Sequence, residues 1–329
     1  MEIQKDIGEL YKREDEEVCP CYLIRVEGIK RTYAGVFDGE VLNVGDFVEV
    51  IFKDKRILPA QIAKVMYYKK SFIPKPNDEG YAYQIIKKLF LERVLYSNCE
   101  LLMSIDGKVL HRCKPLGKLK EIEIPKGVTE IKEEAFWKID TLSHVKLNDE
   151  LKVIEKKAFS HTDIYEVKIP KLVEVIGEYA FSYGYNHTKV EVAKENKHFR
   201  DDGMCLYKIN ADKTEELLWC FGTNKEWSYI LPKQVIRIKK WAFAECYIKN
   251  IVLNEGLKYI EDRAFTGTFI KEIDIPSTVE EIGDIAKINR IKDDISPFSL
   301  GGEFCKLKIN LHPNGRLKWN DDGEIEKIK

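Results

Sequence analysis

The side chains able to do chemistry set the first question. Cysteines stand at 19, 21, 99, 113, 205, 220, 246 and 305, and histidines at 111, 144, 161, 187, 198 and 312. Together these residue types can hold zinc or pair a thiolate nucleophile with a base. A structural zinc site usually shows itself as two close ligand pairs. This chain has one, Cys19-Pro20-Cys21, and the histidines never fall at ligand spacing. The pair therefore reads as strand thiols, and no metal is expected. An even cysteine count permits disulfides. In a chain this long without an export signal, reduced and mostly buried thiols are the expectation. The phosphate loop G-x-x-x-x-G-K-[ST], the zinc helix H-E-x-x-H and the nucleophile elbow G-x-S-x-G are all missing. His161 and His187 read as surface residues. No catalytic residue and no cofactor is expected, so the chain reads as a non-enzyme.

What must position any site is the chain as a whole. It has 329 residues, 44% of them hydrophobic, enough to bury a core. Lys plus Arg (54) nearly cancels Asp plus Glu (55), leaving a net charge of −1. That balance argues against a dedicated nucleic-acid wrapper. No apolar run approaches the roughly 18–20 residues that cross a bilayer, so no membrane insertion is expected. The first residues, Met1-Glu2-Ile3-Gln4-Lys5-Asp6, are charged at once. If Met1 is the native start, the expected location is the cytoplasm; if a signal was removed, it is the cell surface.

From about Leu119 to Ala286 one unit recurs, marked by Ala135-Phe136, Ala158-Phe159, Ala180-Phe181, Ala242-Phe243 and Ala264-Phe265. The period is near 22, with one gap close to three periods. The best copy runs Leu119, Ile122, Ile124, Pro125, Val128, Ile131, Ala135, Phe136, and Ile164 to Phe181 repeats the string. Alternating apolar residues make a strand with one face inward. Pro ends that strand, because it cannot donate to a ladder. Ala lets neighbouring coils approach, and Phe fills the space between them. One coil cannot bury its own apolar face, so the coils must stack. These residues are core.

The string L-x-x-I-x-I-P-x-x-V-x-x-I-x-x-x-A-F resembles the BspA-like, or Treponema-type, leucine-rich repeat family. The resemblance covers about half of the chain. It implies a curved solenoid with a parallel strand ladder on its concave side, and a role as a binding or adhesion module, often at the cell surface.

Between Val192 and Tyr229 the pattern breaks. Two apolar runs joined by a polar loop, entered through Asp202-Gly203, predict a hairpin insert at about 193–228. A similar string, Ile105-Asp106-Gly107-Lys108-Val109, predicts a cap before the first repeat. A C-terminal cap is expected at about 287–329, with strands at Phe304–Leu311 and Arg316–Ile328. Residues 1–75 lack the repeat. Short strands at Val18–Val26, Tyr33–Gly39, Gly45–Phe52 and Ile57–Tyr67 predict a small β-barrel. Residues 76–100 are read as a linking helix from about Tyr81 to Tyr96, with Ile85, Ile86, Leu89 and Val94 on one face. The fold class is therefore mostly β with this one helix, α+β in outline, and the solenoid occupies 101–329. The stretch 44–76 resembles the small N-terminal barrel of the primosomal helicase PriA, through Gly45-Asp46-Phe47-Val48-Glu49-Val50. That resemblance implies a nucleic-acid-associated adaptor docking through the barrel, as the alternative function.

Between core positions each repeat strand points residues outward. One outward column reads Glu121, His144, Glu166, Lys189, Ser228, Asn250, Glu272, and its neighbour reads Glu123, Lys146, Lys168, Glu191, Ile230, Val252, Asp274. Charges are mixed, with an apolar step at Ile230 and Val252. Such a face suits a protein or peptide partner and lacks the single-sign stripe of a nucleic-acid site. The plainer reading is a solvated ladder kept soluble by its charges. The expected function is a non-enzymatic protein- or peptide-binding scaffold using its concave face.

Overall fold

The computed structural model describes residues 18–26, 32–37, 39–51, 57–69, 82–181, 188–221, 227–244, 246–283, 308–319 and 325–328. Every regular element among them is a β-strand. The chain forms two compact units. One comprises Met1–Leu142, Val153–Thr162 and Ile176–Tyr183, and the other Ser143–Lys152, Asp163–Val175 and Gly184–Lys329.

The first unit begins with β1 (Val18–Val26), β2 (Thr32–Val36), β3 (Phe47–Ile51), β4 (Ile57–Lys69) and β5 (Ala82–Leu89). Their pairings run β1-β2-β5-β3-β4 and return to β1, so the sheet closes. Its interior holds Tyr22, Ile24, Val26, Leu42, Val48, Val50, Leu58, Ala60, Ile62 and Ile85. The Tyr22 hydroxyl, buried among them, accepts the Leu42 amide at 3.2 Å. A boundary at residue 75 would leave out β5, the strand that pairs with both β2 and β3.

The expected linking helix is corrected here. Residues 82–89 are β5, and 91–96 are β6 (Leu91–Tyr96). Helical spacing would put Ile85 and Ile86 on one face, whereas strand geometry sends them to opposite faces. The structure buries Ile85 and leaves Ile86 42% exposed. The open edges of β2 and β3 need a partner, and that long-range demand overrides the local period.

β6 opens an antiparallel meander with β7 (Cys99–Ser104) and β8 (Val109–Pro115). The repeats then alternate longer and two-residue strands: β9 (Glu121–Glu123), β10 (Glu130–Ile131), β11 (His144–Lys146), β12 (Val153–Ile154), β13 (Glu166–Ile169), β14 (Val175–Ile176) and β15 (Lys189–Val192). The short strands join parallel to β8, in the order β8-β10-β12-β14. A second meander follows, β16 (Phe199–Asp201), β17 (Cys205–Ile209) and β18 (Glu215–Cys220). After β19 (Trp227–Ile230), β20 (Val235–Ile238), β21 (Ile248–Val252), β22 (Tyr259–Ile260), β23 (Glu272–Ile275) and β24 (Glu281–Ile282), a second parallel row reads β18-β20-β22-β24. β25 (Lys308–Leu311) pairs parallel with β23, and β26 (Leu317–Trp319) pairs antiparallel with β27 (Ile325–Lys327).

The two meanders are copies of one device, about 106 residues apart. Cys113 donates its amide to the Ala135 carbonyl at 2.8 Å, and Cys220 does the same to Ala242 at 2.7 Å. The residue after each short strand reads Lys132, Glu155, Gly177 in the first array and Lys239, Glu261, Gly283 in the second. In both, the glutamate accepts the lysine ammonium and a backbone amide, from Glu133 at 2.7 Å and from Lys240 at 3.0 Å. In both, a Cβ on the glycine would overlap the backbone of the preceding coil.

The Ala-Phe pair works through the backbone as well as through packing. Phe136, Phe159 and Phe243 each donate to the alanine carbonyl of the next copy, all at 2.7 Å. Their rings stack at 4.7 Å for Phe136–Phe159, 5.2 Å for Phe159–Phe181 and 5.3 Å for Phe243–Phe265. The residue before each alanine, namely Glu134, Lys157, Tyr179, Trp241 and Arg263, takes a left-handed φ between 54° and 61°. That region disfavours L-residues other than Asn, so each copy holds at least one strained position against its packing.

The strand-ending position alternates between Pro (125, 170, 232, 276) and Asn (148, 254). Asn254 sends its amide nitrogen to the Pro232 and Val235 carbonyls of the coil before it, at 2.8 and 3.0 Å. Asn196 does the same to Pro170 and Val173. The Pro170 and Pro232 turns are thus each bonded at two carbonyls by an asparagine of the following coil.

The cysteine expectation changes in one place. Cys205 and Cys220 are disulfide-bonded, with Cα atoms 4.0 Å apart. They are direct partners across β17 and β18, a juxtaposition that spacing along the chain does not reveal. Cys21, Cys99, Cys113 and Cys246 are buried and Cys19 half-buried, all as thiols, and Cys246 Sγ donates to the Cys220 carbonyl at 3.4 Å. Among the described residues no three His, Cys, Asp or Glu side chains converge as a metal site.

Candidate functional site

The outward residues of the longer strands form the candidate face. In the second unit, β11, β13 and β15 form one parallel ladder with His144 opposite Glu166 and Glu166 opposite Lys189. Lys168 stands opposite Glu191. Lys189 reaches Glu166 at 3.3 Å, and Lys168 reaches Glu191 at 3.3 Å. Successive rungs thus carry ion pairs of opposite polarity, and this stretch is a self-neutralising charge zipper. Exposed pairs of this kind stabilise little, about 0–1 kcal/mol. Lys146 is exposed on the same strand as His144, and Glu121 and Glu123 are exposed on β9 in the first unit.

His144 has a more specific environment. Ser143 Oγ lies 2.9 Å from its Nδ1, and the Tyr165 hydroxyl bonds its Nε2. The Tyr165 ring meets the imidazole edge-on at 4.7 Å. Both ring nitrogens are therefore engaged. The outward columns of the repeat include His144 but neither Ser143 nor Tyr165, which lie just before the strand positions. An exposed aromatic directly after Ile164 was the available signal.

Farther along, β19 and β21 form a parallel pair of different character. Ser228 opposes Asn250, and Ile230 opposes Val252. Asn250 donates to the Ser228 hydroxyl at 3.1 Å. Ile230 is 75% exposed and Val252 59%, so the apolar rung lies bare on the surface. Its elevation follows from the strand period: Tyr229, Leu231 and Ile251 take the inward positions and are buried. Tyr247 and Phe269, stacked at 5.5 Å and both exposed, precede β21 and β23 respectively.

Glu272 and Asp274 of β23 face Lys308 and Asn310 of β25. Lys308 reaches Glu272 at 2.6 Å, and Asn310 donates to Glu272 at 2.7 Å and to Asp274 at 2.8 Å. Asn310 and Lys308 hold the Glu272 carboxyl below its ordinary range. Sequence reading placed a closing strand here but gave Lys308 and Asn310 no part in the face. The acidic end of the columns is thus occupied within the chain, whereas the rungs Ser228–Asn250 and Ile230–Val252 carry no charge.

The BspA-type leucine rich repeat region matches residues 100–209 and 219–290 in six copies, more than half of the chain. No curated protein matches significantly. Among solved structures, the chain is similar to a leucine rich cell surface protein of Faecalibacterium prausnitzii at 24% identity, over 50% of this chain and 49% of that one, with a TM-score of 0.41. The pneumococcal vaccine antigen PcpA is similar at 25% identity, over 52% and 48%, with a TM-score of 0.45. A leucine-rich repeat protein of Eubacterium ventriosum is similar at 17% identity, over 68% and 74%, with a TM-score of 0.43. The chain spans about half the length of the first two.

Proposed function

Because the chain belongs to the BspA-type leucine-rich repeat family, we propose that it is a non-enzymatic scaffold that binds a protein or peptide through the face of β19 and β21. The observation that carries this reading is the bare Ile230–Val252 rung beside the uncharged Ser228–Asn250 rung. Apolar side chains exposed together on a soluble surface favour a partner that covers them. The charged rungs of β13 and β15 neutralise each other and serve as a polar surround.

The Cys205–Cys220 disulfide supports an oxidising compartment, and so the cell-surface alternative of the location. No helix among the described residues is long and apolar enough to cross a membrane.

The test begins with a pull-down from the source organism and an affinity measurement on the captured partner. Ile230→Asp with Val252→Asp should weaken binding about tenfold or more, since two buried apolar contacts contribute roughly 1.4 kcal/mol or more together. Changing Glu166 and Lys168 to alanine should alter affinity by less than about threefold. Unchanged affinity in the aspartate variant would remove the site assignment.

A further inference from the structure

The closed sheet of the first unit carries a second candidate site, unrelated to the ladder face. The pairing of β1 with β4 runs in register from Val26–Ala60 to Ile24–Ile62, then jumps to Leu23–Lys64, leaving Ala63 unmatched. This bulge has a directional consequence. Ile62 and Val65 both pack on the barrel interior, three positions apart, so strict alternation fails between them. The extra residue keeps Lys64 on the exposed side, where an unbulged strand would carry one of these side chains to the wrong face.

Beside the bulge lies a pocket of about 210 Å³ lined by Arg25, Val44, Gly45, Gln61, Ile62 and Ala63. Three of these positions are fixed. Gln61 donates its side-chain amide to the Gly45 carbonyl at 3.0 Å, and Gly45 donates its own amide to Ile62 at 2.9 Å. Gly45 holds φ at +97°, and the space where its Cβ would stand is open, so the pocket wall is bare backbone there. Arg25 stands directly opposite Gln61 and is exposed.

The charges single out Arg25. Lys87 is paired with Glu49 at 3.2 Å, Lys88 with Asp46 at 2.9 Å and Arg93 with Glu100 at 2.5 Å. Arg25 has no carboxylate partner among the described residues, and neither has Lys64. A guanidinium with no carboxylate partner among the described residues, at the mouth of a pocket, is suited to an oxyanion, which its planar fork can hold with two parallel hydrogen bonds.

We propose that this pocket binds a small oxyanion, a phosphate or carboxylate group, with Arg25 as the cationic contact and Lys64 as a longer-range attraction. Both groups offer a pair of oxygens at the spacing that the two N–H groups of the guanidinium fork can bridge. Nothing in the ladder reading is needed for this site, and neither depends on the other.

The experiment uses the full chain, with inorganic phosphate and acetate as separate probes at ionic strength held constant with chloride. Binding is read by line broadening of phosphate in ³¹P spectra and by amide shifts for acetate. Saturable binding of either probe supports the site, and the tighter one identifies which oxyanion it takes. Arg25→Gln should weaken binding about tenfold or more, the loss of a charge-assisted contact. Arg25→Lys keeps the charge without the fork and should recover part of that loss. Lys87→Gln, an ion-paired control on the same barrel, should leave binding within twofold. No saturable binding beyond chloride, or an Arg25→Gln variant within twofold of the parent, would overturn the proposal; equal losses in Arg25→Gln and Lys87→Gln would reduce it to general charge attraction and overturn it as well.

Discussion

Asn196→Ala probes the link between a turn's backbone and the next coil. The Asn196 side chain is 7% exposed and makes four hydrogen bonds. Its nitrogen donates to the Pro170 carbonyl at 2.8 Å and the Val173 carbonyl at 3.0 Å, and its oxygen accepts the amides of His198 at 2.8 Å and Phe199 at 2.9 Å. Alanine removes all four contacts at once and leaves the Val173 carbonyl and two amides to find water, while the Pro170 carbonyl keeps the Val173 amide at 3.3 Å. At about 1 kcal/mol for each hydrogen bond, the variant should lose about 4 kcal/mol of stability, and roughly 2 if water enters freely. The assay is urea unfolding together with hydrogen exchange at the Phe199 amide, which should speed up before any global change. Asn250→Ala is the comparison: its one bond, to Ser228, is exposed, and the loss should stay below about 0.5 kcal/mol. Asn196→Asp retains both acceptor contacts but sets a carboxylate against two carbonyls, so it should be no better than alanine. If Asn196→Ala and Asn250→Ala cost the same, the asparagine bracket does not hold the coils together and the reasoning fails.

Other outcomes follow from the same packing. Gly177→Ala should destabilise by about 1–3 kcal/mol, because the new methyl overlaps the Lys156 backbone; thermal unfolding would show it, and an unchanged midpoint would contradict the packing described. Arg263→Val should cost about 1–2 kcal/mol while Arg263→Gly should be near neutral, since the left-handed φ of 56° strains a β-branched residue most. Replacing Cys205 and Cys220 by alanine should lower stability by about 3 kcal/mol for a sequence separation of 15, and a reductant should mimic the effect in the parent but not in the variant. His111 is buried, and burial, aided by Lys132, depresses its pKa to about 4 from 6.5. The unfolded chain then binds the extra proton between pH 6.5 and 4, so stability falls as pH drops through that window, by up to roughly 3 kcal/mol at its acid end. His111→Gln should flatten this part of the pH–stability curve; the same slope in parent and variant would assign it to other groups.

The repeat was legible because its signal is local and redundant. Ile122, Ile124, Val128, Ile131, Ala135 and Phe136 recur as a string, and each member is buried where the period places it. A stacked coil repeats its environment every turn, so the same residue type is demanded at the same position. The candidate face was legible in part for the same reason: once the inward positions are known, the outward ones are fixed by alternation. Ile230, Asn250 and Val252 emerge from that rule alone. Lys308 and Asn310 do not, since residues 284–307 separate them from the repeat and only the pairing of β25 with β23 brings them to Glu272 and Asp274.

By itself, then, the sequence determined the periodic part of this protein: the repeat, its core, and which side chains face out along each strand. These depend on interactions within one period. The tertiary structure alone decided the rest. It turned residues 82–89 and 91–96 into strands because open sheet edges required partners, joined Cys205 to Cys220 because the meander sets them opposite, and set Arg25 opposite Gln61 near a bulge. Each of these depends on which distant segments meet, and a local pattern carries no information about a partner that lies across the sheet.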